Sequence, residues 1–88
     1  MSMSPDLQTL RAFVAVAREG NVSRAAERLH LSQPAVSLQL KSLATSTGLL
    51  LFTRTPQGLA LTRDGASLLP HAEKTLAAAS DFGQAAQN

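Results

Sequence analysis

The 88 residues are 44% hydrophobic, enough for a single domain with one modest core and too apolar for a disordered segment. The chain has no cysteine, tyrosine or tryptophan and three phenylalanines, which excludes disulfides and thiolate zinc sites and disfavours stacking of single-stranded bases. The net charge of +2 is unevenly spread: Gly20 to Arg63 carries Arg24, Arg28, Lys41, Arg54 and Arg63 against Glu27, while the segment after Arg63 is acidic, so the middle of the chain is the part suited to a polyanion.

Ser4-Pro5-Asp6 reads as a helix start, with Ser4 as cap, followed by Leu7, Leu10, Phe13, Val14 and Ala17 at helical spacing. This predicts a first helix of three to four turns ending by Gly20. One face is apolar and the other carries Gln8, Arg11 and Arg18, so it is expected to pack across the two helices that follow.

A second helix is predicted from Asn21 to Leu29, with Ser23 as N-cap and Ala25, Ala26 and Leu29 on its inner side. Small side chains at 25 and 26 allow the close crossing that a short interhelical turn demands. The turn is His30-Leu31-Ser32. The third helix runs from Gln33 to Thr47, capped by Ser32, with Pro34 in its first turn and Gly48 as its stop. At about 100° per residue, Val36, Leu40 and Leu43 form its buried stripe, and Pro34, Ser37, Leu38, Lys41 and Thr45 lie opposite. Short polar groups around one exposed leucine and one lysine describe a contact surface rather than an ordinary charged solvent face.

Leu49 to Arg54 and Leu59 to Thr62 flank the connection Thr55-Pro56-Gln57-Gly58, the pattern of a β-hairpin. A hairpin directly after a helix-turn-helix is a wing, with Arg54 at the root of its loop. A last helix starts from Thr62 as N-cap, with Asp64 in its first turn and a bend expected at Pro70. Leu69, Ala72, Leu76, Ala79, Gly83 and Ala86 repeat at alternating spacings of three and four, with Phe82 beside them. The stripe is longer than a three-helix body can cover, which predicts a partner helix, most simply that of a second copy. The expected architecture is mainly α: a winged helix-turn-helix over 1–62, made of three helices and a short β-hairpin, then a long linker helix over 63–88.

Ala25-Ala26-Glu27-Arg28-Leu29-His30-Leu31-Ser32-Gln33-Pro34-Ala35-Val36-Ser37, then Leu51-Phe52-Thr53-Arg54, Leu61-Thr62 and Gly65, resembles the N-terminal DNA-binding domain of LysR-type transcriptional regulators, over essentially the whole chain. The resemblance implies that the third helix enters the major groove of double-stranded DNA. It places Gln33, Pro34, Ser37 and Leu38 at base edges and Arg54 at the minor groove. It also implies that the linker helix pairs antiparallel in a homodimer, through Leu69, Ala72, Leu76, Ala79, Phe82 and Gly83. A ligand-sensing effector domain beyond this chain, higher oligomers of the whole protein and an operator made of an interrupted inverted repeat follow from the same resemblance.

The side chains suit these roles. The Gln33 amide can pair bidentately with adenine, Ser37 is short enough for close approach, and an arginine suits the narrow minor groove of A·T-rich DNA. Lys41 and the helix starts near Ser23 and Ser32 suit phosphates. Leu38 stands where many family members carry arginine, and Ala44 and Thr45 where acids are common; a leucine there is suited to thymine methyl groups.

The competing reading is a winged-helix protein-interaction module that uses Leu38 and the C-terminal stripe. Salt separates the two, since binding that neutralises phosphates weakens steeply with salt and an apolar contact does not. Catalysis is not expected: His30 lies in a tight turn and His71 on the linker helix, neither with a nucleophile or cleft. No cofactor or metal is expected either. Without an apolar run long enough for a membrane span or secretory signal, the expected location is the cytoplasm.

Overall fold

The computed structural model describes residues 6–88. Four helices and one hairpin follow in the order α1 (Leu7–Glu19), α2 (Val22–Leu29), α3 (Gln33–Thr47), β1 (Phe52–Thr55), β2 (Gly58–Leu61) and α4 (Arg63–Gln87). The expected mainly helical, winged helix-turn-helix architecture is therefore the one observed.

The cap of α1 is Asp6: its carboxylate accepts from the Thr9 N–H at 3.0 Å, and the Thr9 hydroxyl donates back to the Asp6 carbonyl at 2.9 Å. Ser4, the cap read from the sequence, lies outside the described residues. The expectation of one apolar face on α1 is also too simple. Leu10, Phe13 and Val14 pack with Leu43, Leu51 and Ala72, while Ala12 and Val16 pack with Ala25, Ala26 and Val36. The helix is the central post of the fold, touching α2, α3 and α4. Alanines at 12, 25 and 26, all at most 3% exposed, let it approach its neighbours closely.

The helix-turn-helix has its predicted span, with a corrected start. Asn21, not Ser23, caps α2: its side chain accepts from the Arg24 N–H at 3.0 Å, leaving Ser23 inside the first turn. The helix ends at His30 in the left-handed region, φ 57°, where the His30 N–H donates to Glu27 and the Leu31 N–H to Ala26, the paired bonds of a Schellman stop. Ser32 then caps α3, accepting from the Ala35 N–H at 3.2 Å, and Gly48 ends it as expected.

The wing is tighter than the sequence suggested. Thr55 pairs with Gly58, so the connection is Pro56-Gln57 alone rather than four residues. Leu49 to Leu51 precede the strand instead of belonging to it; Leu51 enters the core and Leu50 is exposed. Thr62 ties this approach to α4: its N–H donates to the Leu51 carbonyl and its hydroxyl donates to the Leu50 carbonyl at 2.6 Å while accepting from the Gly65 N–H at 3.0 Å. A Cβ at Gly65 would overlap the Leu51 carbonyl, so the helix meets the chain before the wing backbone to backbone.

Pro70 does not interrupt α4, which runs unbroken from Arg63 to Gln87. Its first half belongs to the body. Ala72 is 4% exposed, Leu68, Leu69 and Leu76 are partly buried on the same core, and Glu73 pairs with Arg18 of α1 at 3.3 Å. Three residues of the predicted dimer stripe therefore also pack against their own chain: Ala72 is buried in the core, and Leu69 and Leu76 are partly buried against it. Beyond Leu76 the helix leaves the body, and Phe82 is 78% exposed.

Candidate nucleic-acid interface

The exposed side of α3 carries the predicted group intact. Gln33, Pro34, Ser37, Leu38 and Lys41 are all exposed, Leu38 at 66%, while Val36 and Leu43 on the opposite side are buried. With Val36 and Leu43 locked in the core, the helix cannot rotate about its axis, so the outward set is held as one surface.

The wing is held against this surface by backbone contacts. The Leu59 N–H donates to the Gly20 carbonyl at 3.0 Å, and Gly58, with φ 137°, lies so close that a Cβ there would overlap the same carbonyl. This fixes the start of β2 on the corner between α1 and α2. Arg54, directly opposite Leu59 in the ladder, is carried with it. The result is an open cleft of about 300 Å³ lined by Asn21, Val22 and Ser23 from the start of α2, Gln33 and Ser37 from α3, and Arg54, Gly58 and Leu59 from the wing. No carboxylate lines it, and its one charged residue is the Arg54 guanidinium.

The two helix starts are not equivalent as anion seats. In α3, Pro34 has no N–H, the Ala35 N–H is taken by Ser32 and the Val36 N–H by the Ser32 carbonyl, which leaves only that of Gln33. In α2 the Val22 and Ser23 N–H groups have no intrahelical acceptor and sit at the positive end of the helix dipole. Ser23 makes no cap, so its hydroxyl is available beside them. Asn21, which sequence reasoning passed over in favour of Ser23, is the residue that shapes this corner; its position directly after a helix-ending glycine was the available signal.

The basic surplus of the middle segment is divided by the fold. Arg28 pairs with Glu19 at 3.3 Å and shares a separate surface with Arg24, Glu27 and His30. Lys41 and Arg54 are the cations of the reading face. The residues predicted from the sequence for dimer contact lie elsewhere: Leu69, Ala72, Leu76, Ala79, Phe82 and Gly83 follow one another along α4, and none of them lines the cleft.

A buried three-helix body, an outward α3 and a wing whose arginine shares a cleft with it define a winged helix-turn-helix module. The family model for the bacterial regulatory helix-turn-helix proteins of the lysR family matches residues 7–66, and the chain belongs to that family. The HTH-type transcriptional regulator CfxR of Cupriavidus necator is 46% identical over 81 residues, covering 92% of this chain and 26% of the relative. A mutant of Corynebacterium glutamicum OxyR superposes with a TM-score of 0.94 at 37% identity, over 99% of this chain and 28% of that one. The crystallised CbnR DBD–DNA complex superposes at 0.86 with 35% identity, over 93% of this chain and 94% of that one. The chain spans about a quarter of the length of curated regulators such as CfxR.

Proposed function

We propose that this chain is the DNA-reading part of a LysR-type transcription regulator, binding double-stranded DNA sequence-specifically with α3 in the major groove and the wing at the minor groove. The observation that carries this reading is the cleft in which Ser23, Gln33, Ser37 and Arg54, from three separate segments, face the same space. The likeness to the CbnR DBD, solved on DNA and matched over nearly its whole length, supports it.

In this reading Gln33, Pro34, Ser37 and Leu38 meet base edges, Arg54 enters the minor groove, and Lys41, Ser23 and Ser32 hold phosphates. Ser23 is the stronger of the two serines, because the α2 start keeps two open N–H groups beside it and the α3 start keeps one. Leu38 touches thymine methyls and shifts the half-site towards A·T pairs. Two copies joined along α4 read an interrupted inverted repeat, with the two α3 helices one duplex turn or slightly more apart. The whole protein works in the cytoplasm, assembles further, and takes its small-molecule effector in a domain beyond this chain. Among the described residues no helix is long and apolar enough to cross a membrane.

Footprinting on the promoter region of the protein's own gene, repeated across a salt series, tests the reading. Two symmetric protected half-sites are expected, with log K falling against log salt at about 0.9 per phosphate neutralised. An affinity unresponsive to salt would instead support the protein-interaction module. Leu38→Ala on a panel of half-sites is expected to lose most on A·T-rich ones; equal losses on all would remove Leu38 from specificity.

A further inference from the structure

Between α1, the end of α2 and α4 lies an open groove of about 420 Å³. Its floor is apolar, made of Val14, Ala15, Leu29 and Leu76, and its rim carries the guanidinium groups of Arg11, Arg18 and Arg28 with the Glu19 carboxylate among them. At about 100° per residue, Arg11, Ala15 and Arg18 fall within about 60° of one another on α1. They lie roughly opposite Ala12, Phe13 and Val16, which pack with Val36 and Leu43 of α3. The groove therefore opens away from the reading helix, and none of its residues lines the cleft that holds Ser23, Gln33, Ser37 and Arg54.

The guanidinium groups of the rim are not used up within the chain. Arg18 meets Glu73 through Nη2 alone and Arg28 meets Glu19 through Nε alone, each at 3.3 Å, while Arg11 forms no ion pair among the described residues. A guanidinium has five N–H donors, so all three keep donors for a further carboxylate. Exposed pairs of this kind are weak, and they orient the two arginines without saturating them.

We infer that this groove docks a different protein through an acidic amphipathic helix, whose apolar side chains rest on Val14, Leu29 and Leu76 and whose carboxylates meet Arg11, Arg18 and Arg28. A cavity of about 150 Å³ accepts a benzene ring, so the groove has room for about two apolar side chains. Around them the arginine forks match carboxylates in shape as well as charge. A nucleic-acid backbone fits worse, because it would set phosphates against Glu19 and Glu73 and leave the apolar floor uncovered. Since the groove and the reading cleft share no residue, the chain can hold DNA and this partner together. The docking does not depend on the DNA reading.

Fluorescence anisotropy with a labelled synthetic helix of repeating Leu-Glu-Glu-Leu tests it. The helix is expected to bind the chain, and to bind it as well when a single half-site of DNA is already in place. Arg11→Glu should weaken the helix about tenfold. Arg11 is exposed and unpaired, so thermal melting is expected to stay unchanged in that variant. Ala15→Gln, which fills part of the floor without altering charge, should weaken the helix too. No binding by the parent chain, or competition between helix and half-site, would overturn the inference. So would equal binding of a helix with alanine for leucine, which marks general attraction to a polyanion, or of one with glutamine for glutamate, which marks apolar adhesion alone. Two further outcomes assign the groove to another occupant and overturn it as well: self-association lost in Arg11→Glu names a second copy, and weaker binding of that variant to unrelated duplex names nucleic acid. Failure of the parent chain to bind the half-site would count against DNA reading and leave the helix result standing.

Discussion

Two neighbouring residues at the start of α2 divide labour that a sequence pattern assigns to one. Asn21 holds the helix end through its bond to the Arg24 N–H, while Ser23 faces the cleft with its hydroxyl uncommitted to capping. Asn21→Ala is therefore expected to cost about 1 kcal/mol of stability in urea unfolding, the usual loss for a removed N-cap. Ser23→Ala should leave the unfolding midpoint in place and weaken DNA binding on all sequences alike, as removal of a phosphate contact does. The same scale explains His30. A histidine in the left-handed region costs roughly 1–2 kcal/mol relative to ordinary backbone geometry, against roughly 0.5–1 kcal/mol of chain entropy that a glycine would lose. His30→Gly is thus expected to raise stability by a few tenths to about 1 kcal/mol by the same assay, leaving DNA affinity unchanged.

Among the elements, the wing depends most on contacts distant in sequence. A two-stranded hairpin of four-residue strands has little stability alone, and this one is clamped at both ends: Leu59 to Gly20 next to its turn, and Thr62 to Leu50 and Leu51 at its open base. The edge-to-face contact of Phe13 and Phe52, with ring centroids 5.6 Å apart, anchors the open end of the hairpin, where Phe52 pairs with Leu61, to α1. Gly58→Ala would force a Cβ into the Gly20 carbonyl and displace the strand bearing Leu59 and, through the ladder, Arg54. The expected outcome is selective: affinity for half-sites with A·T-rich flanks falls about as far as in Arg54→Ala, and the double variant loses little more, because both changes remove the same contact. Additive losses would show that Gly58 acts only on stability.

For the molecule as a whole, α4 serves two structures in succession. Up to Leu76 it is a wall of the body; after that it is a bare helix whose apolar strip includes Phe82. The boundary between a domain over 1–62 and a linker over 63–88 therefore does not coincide with a packing boundary, since Ala72 and Gly65 are as buried as residues of α1. Leu76→Asp places a charge against the body's own core and is expected to lower the urea midpoint by an amount corresponding to about 2–4 kcal/mol. Loss of dimer mass in that variant would reflect damage to the fold as much as to the pair, which makes Phe82 the cleaner site for testing association.

The sequence by itself determined the number, order and type of the elements, both ends of α3 and which of its residues face outward, because caps, glycine stops and apolar periodicity act within one or two helical turns. It also located Gln33, Ser37, Leu38, Lys41 and Arg54 as exposed residues. Tertiary structure decided what depends on residues far apart in the chain. It made α1 buried on two flanks, since periodicity shows an apolar face but not how many partners cover it. It packed the first half of the α4 stripe against the body of its own chain, because a heptad-like pattern does not say how many partners will share it. It removed Arg28 from the basic surface by placing Glu19 beside it. Most of all, it brought Arg54 to the side of α3 through a backbone bond between Leu59 and Gly20, 39 positions apart, a contact written in no side-chain pattern and permitted only because position 58 has no Cβ.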